Sequence, residues 1–328
     1  MNREGFRAYL EKRSLPETVI SPSMALVERF EQFANQEDPD ASLEAADQAA
    51  IHRFAKALIL DGANTWDNFV ALARYGTFVG NQAMYVAAIE LIDGAEAMEN
   101  LHRKLGEALG ADTRDRLFEG IALPALGSTN HERPKLMATV VDRLEQACDA
   151  ATCKRILGRG LRNLEDSWYE EQREKYEQSG SIEAYLELKG RDFLAELEAH
   201  EQRGTLFFTQ PITHEVIKFV QAHPEIASGV RRGDTIYETK IPHQAIEYLH
   251  ETDPDLKRYH YCHCPWAKES LRPGRKPVSA TFCHCSAAFH KRPYEVMLGR
   301  PLDADVLESV LKGDSVCRFA IHLPPGTP

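Results

Sequence analysis

Two Cys-His-Cys triplets near the C-terminus are the part of the sequence best suited to do chemistry. They are Cys262-His263-Cys264 and Cys283-His284-Cys285, with 18 residues between them. Together they hold four of the chain's seven cysteines. Clustered cysteines in an odd number are unlike a disulfide framework, and in a reducing compartment they favour metal binding or thiolate chemistry.

A β-strand conformation would turn each triplet into a pair of thiols. Residues two apart on a strand point to the same face, so both sulfurs would lie on one side and the histidine on the other. Facing residues of two paired strands are only about 4.5–5.5 Å apart. We therefore predict two neighbouring strands that carry a four-thiol patch. Its members would be Cys262, Cys264, Cys283 and Cys285.

A zinc ion is the metal that this patch would suit. Four thiolates match a tetrahedral zinc site in the type and number of ligands, although Cys-x-Cys is a tighter spacing than the common Cys-x2-Cys. An iron–sulfur cluster fits less well, because none of its common cysteine spacings is present. His260, two residues before Cys262, would share the thiol face and is able to replace one ligand.

A nucleophilic thiol is the alternative chemistry for the same residues. Cys264 is followed by Pro265, a favoured first helical residue, and Cys285 directly precedes a helix predicted from Ser286 to Leu298. A helix N-terminus stabilises a thiolate and lowers the thiol pKa. Either Cys264 or Cys285 would attack as the thiolate. The proton would then move through one of three histidines, namely His263, His284 or His290.

The bulk properties of the chain restrict its partners. It has 328 residues, 43% hydrophobic and 27% charged, with a net charge of −11. Such an acidic balance argues against a general nucleic-acid surface and against binding to anionic membranes. The first residues lack an apolar signal core, and no run approaches the roughly 18 apolar residues of a membrane span, so a cytoplasmic location is expected.

The elements that must position the triplets belong to an α+β chain. Residues 1–140 show helical patterning throughout and predict an all-helical domain, interrupted by a polar turn at Glu37-Asp38-Pro39-Asp40. Residues 141–328 predict a cysteine-rich domain with a helix-flanked, largely antiparallel sheet. Its strands include 234–241 and 315–323, the latter with Cys317, Phe319 and Ile321 on one face. The helical domain is also suited to forming a homo-oligomer.

Several C-terminal segments occur in an order that resembles a known family. They are Tyr261-Cys262-His263-Cys264-Pro265-Trp266, Phe282-Cys283-His284-Cys285-Ser286, Glu295-Val296-Met297-Leu298-Gly299-Arg300-Pro301-Leu302 and Gly313-Asp314-Ser315-Val316-Cys317-Arg318-Phe319-Ala320-Ile321. This order resembles an uncharacterised prokaryotic family with a cysteine-rich C-terminal domain. That family is allied to the L-2-amino-thiazoline-4-carboxylic acid hydrolases and, more remotely, to 4-vinyl-reductase-type ligand-binding domains.

The resemblance covers roughly residues 145–323 and implies an antiparallel sheet with helices that enclose a small-molecule cavity. The hydrolases open a small ring containing sulfur and nitrogen by C–N hydrolysis. The ligand-sensing relatives hold a structural zinc through cysteines and bind small aromatic molecules. Both activities are expectations for this chain.

Three functions therefore stay open. The first is a small-molecule-binding protein with a cysteine-ligated zinc, and the second is a hydrolase of a small cyclic C–N substrate. The third is a helical DNA-binding or interaction protein, because Phe6-Arg7-Ala8-Tyr9-Leu10 and Val27-Glu28-Arg29-Phe30-Glu31 resemble the DNA-grasping domain of tyrosine recombinases. The acidic charge argues against this third function, so the expected partner is a small molecule rather than nucleic acid or a membrane.

Overall fold

The computed structural model describes residues 1–37 and 42–328, which fall into two compact units. We call them the helical unit, made of Met1–Ala95 with Leu123–Glu132, and the cysteine unit, made of Glu96–Ala122 with Arg133–Pro328. Residue 140, where the sequence placed the domain boundary, lies inside a helix of the cysteine unit. Of the turn predicted at Glu37–Asp40, only Glu37 is among the described residues, and residues 38–40 lie outside them.

Among its described residues, the helical unit contains five α-helices around an aromatic core. They are α1 (Arg3–Lys12), α2 (Glu17–Glu37), α3 (Gln48–Leu60), α4 (Trp66–Phe78) and α5 (Gln82–Ile92). Four of them begin at a polar residue whose side chain accepts a backbone N–H from the first turn, namely Asn2, Asp47, Thr65 and Asn81. The buried rings of Phe6 and Tyr75 meet edge to face at 5.1 Å.

The remaining helices belong to the cysteine unit. They are α6 (Ala97–Leu109), α7 (Ala111–Leu117), α8 (Arg133–Ala147), α9 (Ala150–Leu157), α10 (Glu170–Ser179), α11 (Ile182–Arg203), α12 (His214–Gln221), α13 (Pro224–Ala227), α14 (Ala245–His250), α15 (Pro254–Tyr261) and α16 (His284–Leu298). Helix α16 ends at Gly299 in the left-handed conformation, which confirms the end predicted from the sequence.

A four-stranded antiparallel sheet forms the centre of the cysteine unit, in the order β3-β4-β6-β5. The strands of the chain are β1 (Leu206–Phe207), β2 (Gln210–Pro211), β3 (Val230–Arg232), β4 (Thr235–Thr239), β5 (Asp303–Glu308) and β6 (Arg318–His322). Strands β1 and β2 pair separately as a short hairpin. The α+β class, with helices first and an antiparallel sheet after them, is thereby confirmed.

The two Cys-His-Cys triplets do not form strands, and that prediction is wrong. Cys262 follows the last residue of α15, whose first turn is capped by the Asp253 side chain. In the second triplet, Cys283 ends a 3-10 turn that starts after the cap Ser279 and runs directly into α16. Capping signals on either side therefore outweigh a three-residue alternation, which is too short to fix a strand.

The described parts of the chain include no helix with the length and hydrophobicity that crossing a membrane requires.

Candidate functional site

The first triplet is held between α15 and the end of β4. Tyr261 is fully buried, and its hydroxyl donates to the backbone carbonyl of Lys240 at 2.5 Å. The Cys264 carbonyl then accepts the backbone N–H groups of Ala267 and Lys268, at 3.0 and 2.8 Å. A 3-10 turn, not the predicted α-helix, follows at Lys268–Leu271. Cys264 therefore does not stand at a helix N-terminus.

The second triplet lies at the start of α16. The Sγ of Cys283 is 3.0 Å from the Oγ of Ser309, a fully buried residue. Cys285 is the second residue of the helix, and the backbone N–H of Leu161 lowers its pKa. The segment that carries Leu161 packs on this helix, since a Cβ placed on Gly160 would be 3.4 Å from the Cβ of Ala288.

Although the strands are absent, Cys262, Cys283 and Cys285 all act on the pKa of Cys264, and a fifth cysteine acts on two of these residues. Burial raises the pKa of Cys264 well above its usual range, and Cys262, Cys285 and Cys283 raise it further. Cys317, just before β6, likewise raises the pKa values of Cys262 and Cys283. The five-thiol cluster thus contains Cys262, Cys264, Cys283, Cys285 and Cys317.

Every thiol of the five-thiol cluster is protonated at neutral pH. Burial raises the pKa of Cys262 to about 11, and it also raises the pKa values of Cys283, Cys285 and Cys317. The remaining two cysteines of the chain belong to the same hydrophobic core as Cys262 and Cys317. Burial raises the pKa of Cys153, and the charges that raise it further are those of Cys148, Glu145 and Asp149, not those of the cluster. Cys153 is buried there and Cys148 packs half-buried beside it, as structural cysteines do.

Lys240 is the residue around which the cluster is arranged. Its Nζ donates to the Oγ of Ser286 at 2.6 Å and lies 6.0 Å from the centre of the Phe319 ring. The Lys240 charge opposes the rise in pKa at four of the thiols, including Cys285. Within the described ranges, no carboxylate forms an ion pair with this half-buried lysine. A cation without an anionic partner beside protonated thiols can stabilise a thiolate or another developing negative charge.

Cys285 has the most cationic surroundings in the cluster. Burial raises its pKa, while the Leu161 N–H and the charges of Arg162, Lys240 and Lys104 lower it. Lys104 is fixed close by, since its Nζ donates to the Arg159 carbonyl at 2.8 Å and also to the Gly160 carbonyl. Helix N-terminus, amide donor and three cations are the features that activate catalytic cysteines.

A buried carboxylate forms the second part of the site. Glu238 is 6% exposed, and its two oxygens contact Lys189 Nζ at 2.5 Å, Tyr294 Oη at 2.7 Å and His290 Nδ1 at 2.7 Å. Burial alone would raise the pKa of Glu238, but Lys189 and His290 outweigh it and lower the pKa to about 2. The carboxylate is therefore ionised and orients three side chains.

His290 is the predicted histidine with the best-defined role. Burial lowers its pKa more than Glu238 raises it, so the ring is neutral. The cationic partner of Glu238 is consequently Lys189, and His290 contributes a neutral N–H. With Nδ1 donating to the carboxylate, Nε2 is left as a proton acceptor. This is the base and orienting-carboxylate pair that nucleophilic sites use.

The other predicted histidines lie elsewhere. His263 Nε2 donates to the Ile241 carbonyl at 2.6 Å, and burial, Lys240 and His243 hold its pKa well below the usual range. Burial also lowers the pKa of His284, whose charged neighbours are Lys154, Asp305 and Lys312 rather than any thiol. The neighbours of both histidines are therefore groups other than the thiols, and Lys240 is among those that act on His263.

His260 does not share the thiol face, because that prediction required a strand. Its Nδ1 lies 3.1 Å from the Oε1 of Gln244, and its Nε2 is 3.9 Å from Glu251. In the part of the chain that the structure describes, no group of three or more His, Cys, Asp or Glu side chains is arranged to hold a metal ion. The zinc site and the iron–sulfur cluster therefore stay predictions.

Sequence reasoning missed Glu238, Lys240, Lys189, Tyr294 and Ser286. The sequence did contain a signal for Glu238 and Lys240, since positions 236, 238 and 240 share one strand face and Ile236 is fully buried. Charged residues at inward positions of an alternating strand are unusual and indicate a buried polar site. Ser286 and His290 are four apart on α16 and so lie on one helix face.

Comparison of the chain with family models, with curated proteins and with solved structures gives no match. The function must therefore be argued from the side chains themselves.

Proposed function

We propose that the cysteine unit is a hydrolase-type catalytic domain for a small C–N substrate, with Cys285 as the nucleophile. One observation carries the proposal: Lys240, which has no carboxylate partner in the described ranges, donates at 2.6 Å to the hydroxyl of Ser286, the residue that directly follows Cys285 in α16. His290, four residues beyond Ser286 on the same helix, is oriented by Glu238 at 2.7 Å. Nucleophile, base and charge stabiliser are the three roles that such chemistry needs.

The resting thiol must lose its proton when substrate binds. His290 offers Nε2 as the acceptor, and Glu238 acts as a positioning residue through Nδ1. Lys240, Arg162 and Lys104 would stabilise the thiolate and the charge that develops on the substrate. Ser286 helps to fix Lys240 in place through its hydroxyl.

The proposed step balances with water alone. The sulfur of Cys285 adds to the carbon of the C–N group, the C–N bond breaks, and the leaving nitrogen takes the proton that came from the thiol. Water then attacks the same carbon, the C–S bond breaks, and the sulfur regains a proton. One water molecule is consumed in total. The C–N substrate class follows from the sequence resemblance to the thiazoline hydrolases.

A hydrolysis assay with a panel of small cyclic amidines and amides, including L-2-amino-thiazoline-4-carboxylic acid, tests this proposal. We expect ring opening by the unmodified chain and a loss of at least about 10³-fold in Cys285→Ser, as for removal of other nucleophiles. Cys153→Ser is the matched control, because the pKa of that buried cysteine is raised by burial, Cys148, Glu145 and Asp149 and not by any thiol of the five-thiol cluster. Equal rates for Cys285→Ser and Cys153→Ser would refute the assignment.

A second candidate is a small-molecule-binding protein that holds zinc in the cluster. The favouring observation is that cysteines from three separate segments influence one another, since Cys317 raises the pKa of both Cys262 and Cys283, and Cys262 also raises that of Cys283. Against it, the described side chains are not arranged as metal ligands, and the Lys240 cation would oppose a metal cation. Metal analysis of protein purified without added metal separates the candidates, since stoichiometric zinc supports only the second.

A further inference from the structure

A basic pocket in the cysteine unit lies outside the proposed catalytic site. Its volume is about 250 Å³, and it is formed where α15, the loop after the 3-10 turn at Lys268–Leu271 and the turn before β6 come together. Four cationic side chains and one carboxylate line it: Arg258, Arg272, Arg275, Lys312 and Asp255. Such a local excess of positive charge is unusual in a chain whose net charge is −11.

Two of the four cations are fixed in place. The Nε of Arg272 pairs with Glu269 at 2.7 Å, and its guanidinium lies 4.3 Å from the centre of the Tyr259 ring. Arg258 pairs with Asp255 and also donates to the Gly313 carbonyl at 3.3 Å. These contacts hold two planar guanidinium groups in defined orientations and engage part of their N–H groups, so the other two cations must contribute most to binding an anion.

The other two cations lack an anionic partner. Arg275 donates only a long 3.4 Å hydrogen bond to the Glu269 carbonyl, and Lys312 donates to the Val306 carbonyl at 3.2 Å. Neither forms an ion pair with any described residue. Both are exposed at the rim, where an arriving anion would meet them first.

We propose that this pocket binds the phosphate group of a small molecule. Four cations against the carboxylates of Asp255 and Glu269 leave a surplus of two positive charges, which a dianion neutralises better than a single carboxylate does. The floor contains Leu271 and Val310, both buried, so part of the ligand beyond the phosphate can rest on apolar surface. A volume of about 250 Å³ suits a phosphate with a small organic group, since pockets for drug-sized ligands begin at about 300 Å³.

Equilibrium dialysis of the full chain with radiolabelled inorganic phosphate at low ionic strength tests the proposal. We expect saturable binding at one site, weakened at least about tenfold in the double variant Arg275→Gln, Lys312→Gln, because two charge-assisted contacts are removed. Lys276→Gln is the matched control. Lys276 belongs to the same loop and carries the same charge, but it pairs with Asp142 at 2.9 Å and does not line the pocket. We expect less than about a twofold change there.

The conservative variant Arg275→Lys separates recognition from net charge. It should bind phosphate more weakly than the unmodified chain but better than Arg275→Gln, since it keeps the charge and loses the planar fork. Binding that is not saturated at about 10 mM phosphate would mean a dissociation constant weaker than roughly a millimolar, and this result would overturn the proposal. Equal weakening of phosphate binding by Lys276→Gln would also overturn it. Displacement by acetate at equal concentration would overturn the preference for phosphate. Oligonucleotide binding that both Arg275→Gln and Lys276→Gln weaken would assign the loop to nucleic acid instead.

Discussion

Replacing Glu238 by glutamine is the change for which the structure gives the clearest magnitude. The variant keeps the shape of the side chain and removes the charge that faces Lys189 at 2.5 Å. Glu238 is 6% exposed, so little water can compensate. Breaking a buried ion pair by removing one partner costs about 3–5 kcal/mol. Since Lys189 is 34% exposed and partly screened, we expect a loss near the lower end, about 3 kcal/mol.

The pKa of Glu238 gives an independent value for the same quantity. Its folded pKa is about 2 against an ordinary value of 4.5. The difference of about 2.5 pH units corresponds to about 3 kcal/mol, at about 1.4 kcal/mol for each unit. Because the folded pKa is depressed, this stabilisation is fully present above about pH 4.5 and is lost as the pH falls toward 2. At pH 3 more than half of this stabilisation should be lost.

Hydrogen exchange measures this effect within the cysteine unit. Backbone amides of the paired strands β4 and β6 report the opening of this unit alone, which matters because a chain with two units need not unfold in one step. The free energy of opening should be about 3 kcal/mol lower in Glu238→Gln than in the unmodified chain at pH 7, and about 1 kcal/mol lower at pH 3. Glu107→Gln is the control, because its ion pairs with Arg103 and Arg159 are exposed.

A loss below about 1 kcal/mol at pH 7, in the range of an exposed pair, would refute this reasoning. So would a difference between variant and unmodified chain that stays constant from pH 7 to pH 3, because protonation of Glu238 must abolish most of it.

Three further changes have defined outcomes. Lys240→Met should stabilise the cysteine unit by roughly 1 kcal/mol and abolish turnover. The reason is that it removes a half-buried cation that has no carboxylate partner among the described residues. Urea unfolding measures the change in stability, and the hydrolysis assay measures turnover. Asp253→Ala should cost about 1 kcal/mol, because the cap of α15 is lost, and exchange of the α15 amides would reveal it; unchanged protection would contradict the capping contact. Gly127→Ala should destabilise the helical unit by about 2–4 kcal/mol, because Gly127 has φ +87° and an added Cβ would overlap the Phe69 ring. A melting temperature equal to that of the unmodified chain would count against this packing.

The fold class follows from local patterns that the sequence displays over many residues. Alternation across 234–241 predicts β4, and the structure has a strand at Thr235–Thr239. The segment 315–323 predicts β6, and Phe319 and Ile321 are both fully buried. Such patterns survive folding because they state which side chains must leave water.

The triplets show where local patterns fail. Three alternating residues fit a strand as well as a turn, and the caps Asp253 and Ser279 decide the outcome from outside the triplet. The thiols still influence one another's pKa, and they do so from separate segments: the end of α15, the start of α16 and the residue before β6. Cys317 and Lys240 lie outside the triplets, and neither position could be inferred from spacing within them. Glu238 was visible as a charge on an inward strand face, whereas Lys189 and Tyr294 required the fold.

Site-resolved alkylation of the thiols tests the central claim most directly. The protein is treated with iodoacetamide between pH 7 and 9, and mass spectrometry follows each cysteine separately, with and without a chelator. We predict that Cys285 reacts at least about tenfold faster than the other four cluster thiols, that its rate is indifferent to chelator, and that Lys240→Met slows it. Five equally protected thiols that become reactive only after a chelator removes bound zinc would contradict the claim.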